Sequence, residues 1–252
     1  MAEDITYKEK DVDVELDSDI EEEIDVGQIT DSSLFATRKD LQMGRRMFHA
    51  STGTVIATMY YLFFTHERAI HLLGLGACII YLLEQVRINY PRSSNKIAVI
   101  NRYFLRAEEQ LKESAAIPYA MALLLTIISF PQIIALIAIY TLAFGDPLSA
   151  VIGIRFGKHH IVKHKSVEGS LAFFIVTFFV SLIVLSFFEG SKFASAVIGG
   201  GISIKLVGIS FILALVSSAF EMIPLKIDDN FTIPLFTAVT LWVLLYSSGL
   251  AV

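Results

Sequence analysis

The chain carries about seven separate apolar stretches near the length that a helix needs to cross lipid, and that pattern constrains its fold more than any other feature. A spanning helix takes about 20 mostly apolar residues, with about 17 as a working minimum. The stretches are 47–64, 69–86, 115–130, 131–153, 169–188, 204–222 and 231–250, the second and third being marginal in length. Only 18% of residues are charged and the mean hydropathy is +0.63, where a water-soluble domain carries about a quarter charged residues. The expected fold is therefore all-α: a polytopic transmembrane helical bundle of about seven spans occupying residues 38–252. Ser129-Phe130-Pro131-Gln132 divides the third and fourth spans, because Pro131 cannot continue a preceding hydrogen-bond ladder, and predicts a helical hairpin there. Residues 193–203, FASAVIGGGIS, are apolar but glycine-rich and are assigned to no span. No internal repeat is evident, which weakens an inverted-repeat transporter reading. The single cysteine, Cys78, excludes an intramolecular disulfide and a cysteine-based zinc site.

Charge is divided unevenly. Residues 1–31 hold 13 acidic and 2 basic residues, so residues 1–37 read as an acidic, disordered tail, with no apolar run long enough for a signal peptide. Basic residues in short loops favour the cytoplasm. An N-terminus on that side places Arg38, Lys39, Arg45 and Arg46, the basic loop after the second span, Arg155, Lys158, Lys163, Lys165 and Lys226 together. Only Arg68, Lys192 and Lys205 are left opposite. Between the second and third spans, Ile97, Ile100, Phe104 and Leu111 recur among charges, predicting an interfacial helix near 95–114.

Several polar residues have a chemical reading beside a structural one. Asp146 lies in an apolar helix between Gly145 and Pro147, as a helix-end carboxylate or as a contact for metal or nucleotide, since carboxylates in or at the membrane are expensive. Glu84 and Arg87 are three apart on one face and suit an ion pair. The segment RFGKHHIVKHKSVEGS, 155–170, mixes Lys158, Lys163 and Lys165 with three histidines and two glycines. It reads as an ordinary positive-inside loop or as a polyphosphate site, where cations and backbone N–H groups meet phosphate oxygens. Its spacing is not that of a Walker A loop, and basic neighbours argue against zinc at the histidines. Glu221, Asp228, Asp229 and Asn230 fall at the same membrane face as Asp146. They start a helix as caps or share a cation, the oxygen set suiting Mg²⁺ held together with substrate phosphates.

Taken in order, Arg45-Arg46-Met47-Phe48-His49, Glu84-Gln-Val-Arg87-Ile-Asn89-Tyr-Pro91, Gly145-Asp146 with Ala150, Gly153 and Gly157, Lys165-Ser166-Val-Glu168-Gly169-Ser170, and Asp228-Asp229-Asn230-Phe-Thr-Ile-Pro234 form a pattern. From Arg45 to about Pro234 the chain resembles the CTP-dependent lipid kinases, comprising yeast-type diacylglycerol kinase, dolichol kinase and phytol kinase. These are related in turn to phosphatidate cytidylyltransferases. The resemblance implies transfer of the γ-phosphoryl of CTP, with a divalent metal such as Mg²⁺, to the hydroxyl of a membrane lipid alcohol. The Asp-Asp-Asn-Phe-Thr-Ile-Pro and Arg-Ile-Asn-Tyr-Pro runs look most like the diacylglycerol-kinase branch, whereas Glu84 stands where that branch would carry Asp.

Carried onto this chain, the resemblance implies a catalytic set of Asp146, Lys165, Asp229 and His49 and a metal set of Asp146, Glu168, Asp228 and Asp229. Nucleotide phosphates would meet Arg46, Arg155, Lys158, Lys165, Ser166, Gly169, Ser170 and Asn230, while Glu84, Arg87 and Asn89 position substrate or structure. The hydroxyl proton would pass to His49 or to one of the carboxylates. The implied partners are CTP, a lipid alcohol and the bilayer, with no nucleic acid, and the active site of this multi-pass protein would face the cytoplasm. The rival readings are a dolichol, polyprenol or phytol kinase, a cytidylyltransferase acting on a lipid phosphate, and, from another class, a membrane transporter.

Overall fold

The computed structural model describes residues 38–89, 116–162, 165–187, 204–225 and 227–250, with side chains for all of these except 38–45, Arg87, Ile161 and Val162. The acidic tail, the helix expected near 95–114, segment 193–203 and Lys226 lie outside the described residues. The elements run α1 (Arg38–Leu62), α2 (His66–Asn89), α3 (Ala116–Ser129), α4 (Gln132–Tyr140), a π-helical turn (Thr141–Gly145) and α5 (Asp146–Phe156). Two short strands follow, β1 (His160–Val162) and β2 (Lys165–Ser166), then α6 (Val167–Phe187), α7 (Ile204–Glu221) and α8 (Asp229–Ser247).

Each apolar stretch falls on a helix, as it must where lipid offers the backbone no hydrogen-bond partners. Among the described residues, five helical stretches are long and apolar enough to cross a membrane: His66–Val86, Gln132–Phe156, Val167–Phe187, Ile204–Glu221 and Asp229–Ser247. The protein is a helical membrane bundle. α3 has 14 residues, and α1 opens on the charged run RKDLQMGRR, so neither meets the same standard. Pro131 caps α4 two residues after α3 ends, where the hairpin turn was expected.

The central element is Gln132–Phe156. Every residue from Ile133 to Ile139 is buried, because this helix is apolar all round and packs on two sides. Ala135, Leu136, Ile139 and Leu142 meet α1 and α3 through Ala57, Tyr60, Leu123 and Ile127. Ile133, Ile134, Ile137 and Ala138 meet α6, α7 and α8 through Leu185, Leu206, Leu213 and Leu241. Three buried hydroxyls inside the bundle return to their own helices, Thr126, Thr177 and Ser181 donating to carbonyls four residues earlier. That removes the cost of a polar group without a partner in hydrocarbon.

Two local departures shape the functional end. The π turn ends immediately before Asp146 and Pro147. Pro147 lacks an N–H and crowds the preceding turn, so the widened backbone lies where Gly145 and Pro147 predicted an opening. The second departure is a local addition to the all-α bundle: β1 and β2 pair antiparallel, His160 with Ser166 and Val162 with Lys165. Its return strand leads directly into α6, and Val167 N–H donates to the His159 carbonyl at 2.9 Å.

Helices α5 and α6 approach so closely that Gly169 has no space for a side chain. A Cβ there would lie 2.7 Å from the Ser149 carbonyl oxygen and 3.3 Å from Gly153 Cα, both backbone atoms that cannot rotate away. Gly208 faces open space. Gly169→Ala is expected to lower stability by about 1–3 kcal/mol through overpacking, whereas Gly208→Ala should hold or raise it by up to about 1 kcal/mol. Thermal unfolding of the detergent-purified variants measures both.

Candidate functional site

At one end of the bundle, six elements of this apolar molecule bring polar residues together. Arg46 comes from α1, Asp146, Ser149, Ala150, Gly153 and Ile154 from α5, and Lys165 and Ser166 from β2. Gly169 and Ser170 come from the first turn of α6, Glu221 from the last residue of α7, and Asp229 from the first residue of α8. With Gly157 and His160 they enclose a chamber of about 650 Å³.

Its charges are paired. Asp146 faces the Arg46 guanidinium at 3.7 Å, and the other charges acting on it are those of Asp229, Glu221 and Lys165. The Lys165 ammonium donates to Asp229 Oδ2 at 3.1 Å and to the Glu221 main-chain carbonyl, and lies 3.3 Å from Glu221 Oε1. Ser170 Oγ donates to Glu221 Oε2 at 3.0 Å. Glu221 is 7% exposed and Asp229 40%, so the inner carboxylate is desolvated and the outer one remains accessible. Three carboxylates stand against one guanidinium and one ammonium. Beside them begins α6, whose N-terminal dipole favours an anion.

Of the expected residues, the structure brings Asp146, Lys165, Asp229, Arg46, Ser166, Gly169 and Ser170 to one chamber. Ser166 also caps α6, accepting from Gly169 N–H at 3.2 Å. Others are engaged elsewhere. Glu168 pairs with His159 Nδ1 at 2.8 Å. Asp228 is the N-cap of α8, its Oδ1 accepting from the main-chain N–H of Asn230 at 2.9 Å and from Asn230 Nδ2 at 2.8 Å. The capping role weighed for this acidic run therefore falls to Asp228, while Asp229 turns to the chamber. Arg155 stacks over Phe156, 5.5 Å from its centroid, and Lys158 is exposed outside the lining.

His49 packs edge-on against Tyr119 with ring centroids 4.6 Å apart and is not among the lining residues. On α2, Glu84 is 8% exposed and Asn89 donates back to the Gln85 carbonyl at 2.9 Å. Arg87 has no described side chain. Among the described residues, no group of three or more His, Cys, Asp or Glu forms a ready metal cage.

Glu221 entered the sequence reading only as one of several clustered acids, without an assigned role. A carboxylate at the very end of an apolar span is the signal that marks it. Nothing in the local spacing pairs it with Lys165, 56 positions away in the chain.

Over 208 residues the chain is 24% identical to CTP-dependent diacylglycerol kinase 1 of Eremothecium gossypii, covering 79% of this chain and 65% of that protein. Over 214 residues it is 23% identical to the Saccharomyces cerevisiae protein of the same name, covering 81% and 73%. A phytol kinase of Synechocystis is 31% identical over 113 residues, 44% of each chain. The chain is thus similar to CTP-dependent diacylglycerol kinases over most of its length and to a phytol kinase over a shorter part. No protein-family model matches it, and no solved structure does.

The ion pairs of the chamber carry a stability consequence. Lys165→Met would leave Glu221 buried without its countercharge, which costs about 3 kcal/mol. Lys158→Met removes an exposed charge and should change stability by less than about 0.5 kcal/mol. Denaturation of the two variants in matched detergent should show that contrast.

Proposed function

We propose that the chain is a membrane-embedded kinase transferring the γ-phosphoryl of CTP to the hydroxyl of a lipid alcohol, with diacylglycerol as substrate and phosphatidate as product. One observation carries the reading: cations and carboxylates from five elements converge in one chamber at one end of a lipid-immersed bundle. A nucleotide arrives from water and a lipid alcohol presents its hydroxyl at headgroup depth, so the two meet only at such an end. The names of the relatives supply the donor and the acceptor class. The distribution of Lys and Arg supports a cytoplasmic chamber.

The donor set fits Mg²⁺. Asp146 and Asp229 both line the chamber, and Mg²⁺ is commonly held by one or two carboxylates together with substrate phosphates and water. Asp146 and Asp229 are the residues that would hold it, and when bound it neutralises phosphate charge as a Lewis acid. The chamber's own excess of carboxylate repels a free polyphosphate, so nucleotide and divalent cation are expected to bind together.

Phosphoryl transfer asks the protein mainly for positioning and electrostatic stabilisation. Arg46 and Lys165 face the chamber and meet the phosphate oxygens, Lys165 stabilising the charge on the transferred group. Ser166, Gly169 and Ser170, at the start of α6, border the same anion. The hydroxyl proton passes to a chamber carboxylate, since His49 packs against Tyr119 and is not among the lining residues.

Purified protein given CTP labelled in the γ- or the α-phosphate, with diacylglycerol, polyprenol and phytol in turn, tests the reading. γ-Label in diacylglycerol supports it. α-Label in a lipid phosphate would establish a cytidylyltransferase instead, and γ-label confined to polyprenol or phytol would move the substrate. Asp146→Asn and Asp229→Asn are each expected to lower kcat by at least about 100-fold, or about 2.7 kcal/mol of transition-state stabilisation, with the protein still inserted and helical. Lys158→Met should stay within about 3-fold of the parent.

A further inference from the structure

We propose that Glu221 is the positioning residue of this chamber: it anchors Lys165 permanently, while Asp229 is the partner that Lys165 releases to admit phosphate. The inference rests on the kinase reading above and assigns a role to a residue which that reading leaves without one.

Lys165 makes three contacts: its ammonium donates to the Glu221 carbonyl and to Asp229 Oδ2, and it forms an ion pair with Glu221 Oε1 at 3.3 Å. Two belong to Glu221. The carbonyl closes α7, where main-chain acceptors lack partners within the helix and a cation is favoured by the helix dipole. The carboxylate is buried and its second oxygen is taken by Ser170 Oγ at 3.0 Å, itself 7% exposed. With one oxygen facing Lys165 and the other bonded to Ser170, Glu221 is committed within the protein and is not a metal ligand. It ties the end of α7 to β2 and to the first turn of α6 at a single point.

Asp229 differs on each count. It offers one oxygen at 3.1 Å and is the most exposed of the pair-forming acids, so water or phosphate replaces its contact at the least desolvation cost. Lysine is a flexible point charge on a long stem, and without the inner anchor its ammonium would sample many rotamers. Phosphoryl transfer is sensitive to that, since a misplacement of about 1 Å can cost about 100-fold in rate.

The test is a double-mutant cycle with Lys165→Met, Glu221→Gln and the double variant, measuring kcat and KM for both substrates. Gln keeps the side-chain volume and an acceptor for Ser170 but removes the charge that holds the ammonium. Glu221→Gln is expected to lower kcat at least about 30-fold while KM for the lipid alcohol stays within about 2-fold. In the Lys165→Met background the same change should alter kcat by less than about 2-fold, because its effect runs through Lys165. Glu221→Asp should restore part of the rate. Should Glu221→Gln fail to fold, Ser170→Ala carries the test: it should give a smaller fall in kcat, again lost in the Lys165→Met background.

Full activity of Glu221→Gln, or an undiminished further loss in the double variant, would overturn the proposal while leaving the kinase reading intact. A parent protein that moves no γ-label would overturn both.

Discussion

The arrangement at the functional end depends on the Lys165 ammonium, held between Glu221 at the end of α7 and Asp229 at the start of α8. In a bundle whose surroundings are hydrocarbon, a buried carboxylate persists only with a countercharge and hydrogen bonds to its remaining oxygen. Glu221 has both. The contact ties β2 to the end of α7 and the start of α8. Asp146 has a parallel solution in Arg46, reached from α1.

Packing makes these ion pairs possible. The central helix is clad on two faces by branched aliphatics, which fix its depth and rotation, and the π turn then presents Asp146 to the chamber. Gly153 and Gly169 let α5 and α6 touch almost backbone to backbone, bringing Asp146 and Lys165 into the same chamber. Gly169, within the segment weighed from sequence as a polyphosphate site, serves helix–helix contact directly.

Much of this was legible in the sequence, because hydrocarbon imposes a simple length rule and each apolar stretch became a helix. The turn at Pro131 and the opening around Asp146 were equally readable, since proline acts locally. What could not be read was which polar groups would meet. Asp228 and Asp229 are adjacent and chemically alike, yet one caps α8 and the other faces the chamber, a division set by helix phase. Glu168 and Lys158 sit in the same motif as Lys165, but the hairpin turns only Lys165 inward, and nothing in the local pattern marks those two strands. Glu221 had the right residue type at the right membrane depth, and only tertiary contact supplied its partners.

The central claim is that this chamber receives the nucleotide's phosphates with their metal. Ligand that binds only the folded state raises the unfolding temperature by mass action, so the most direct measurement is the melting temperature of the purified protein against Mg²⁺ and CTP, without lipid substrate. The account predicts a saturable rise with both together, absent with CTP alone and lost in Asp146→Asn and Lys165→Met. A shift of equal size and concentration dependence in those two variants would contradict it.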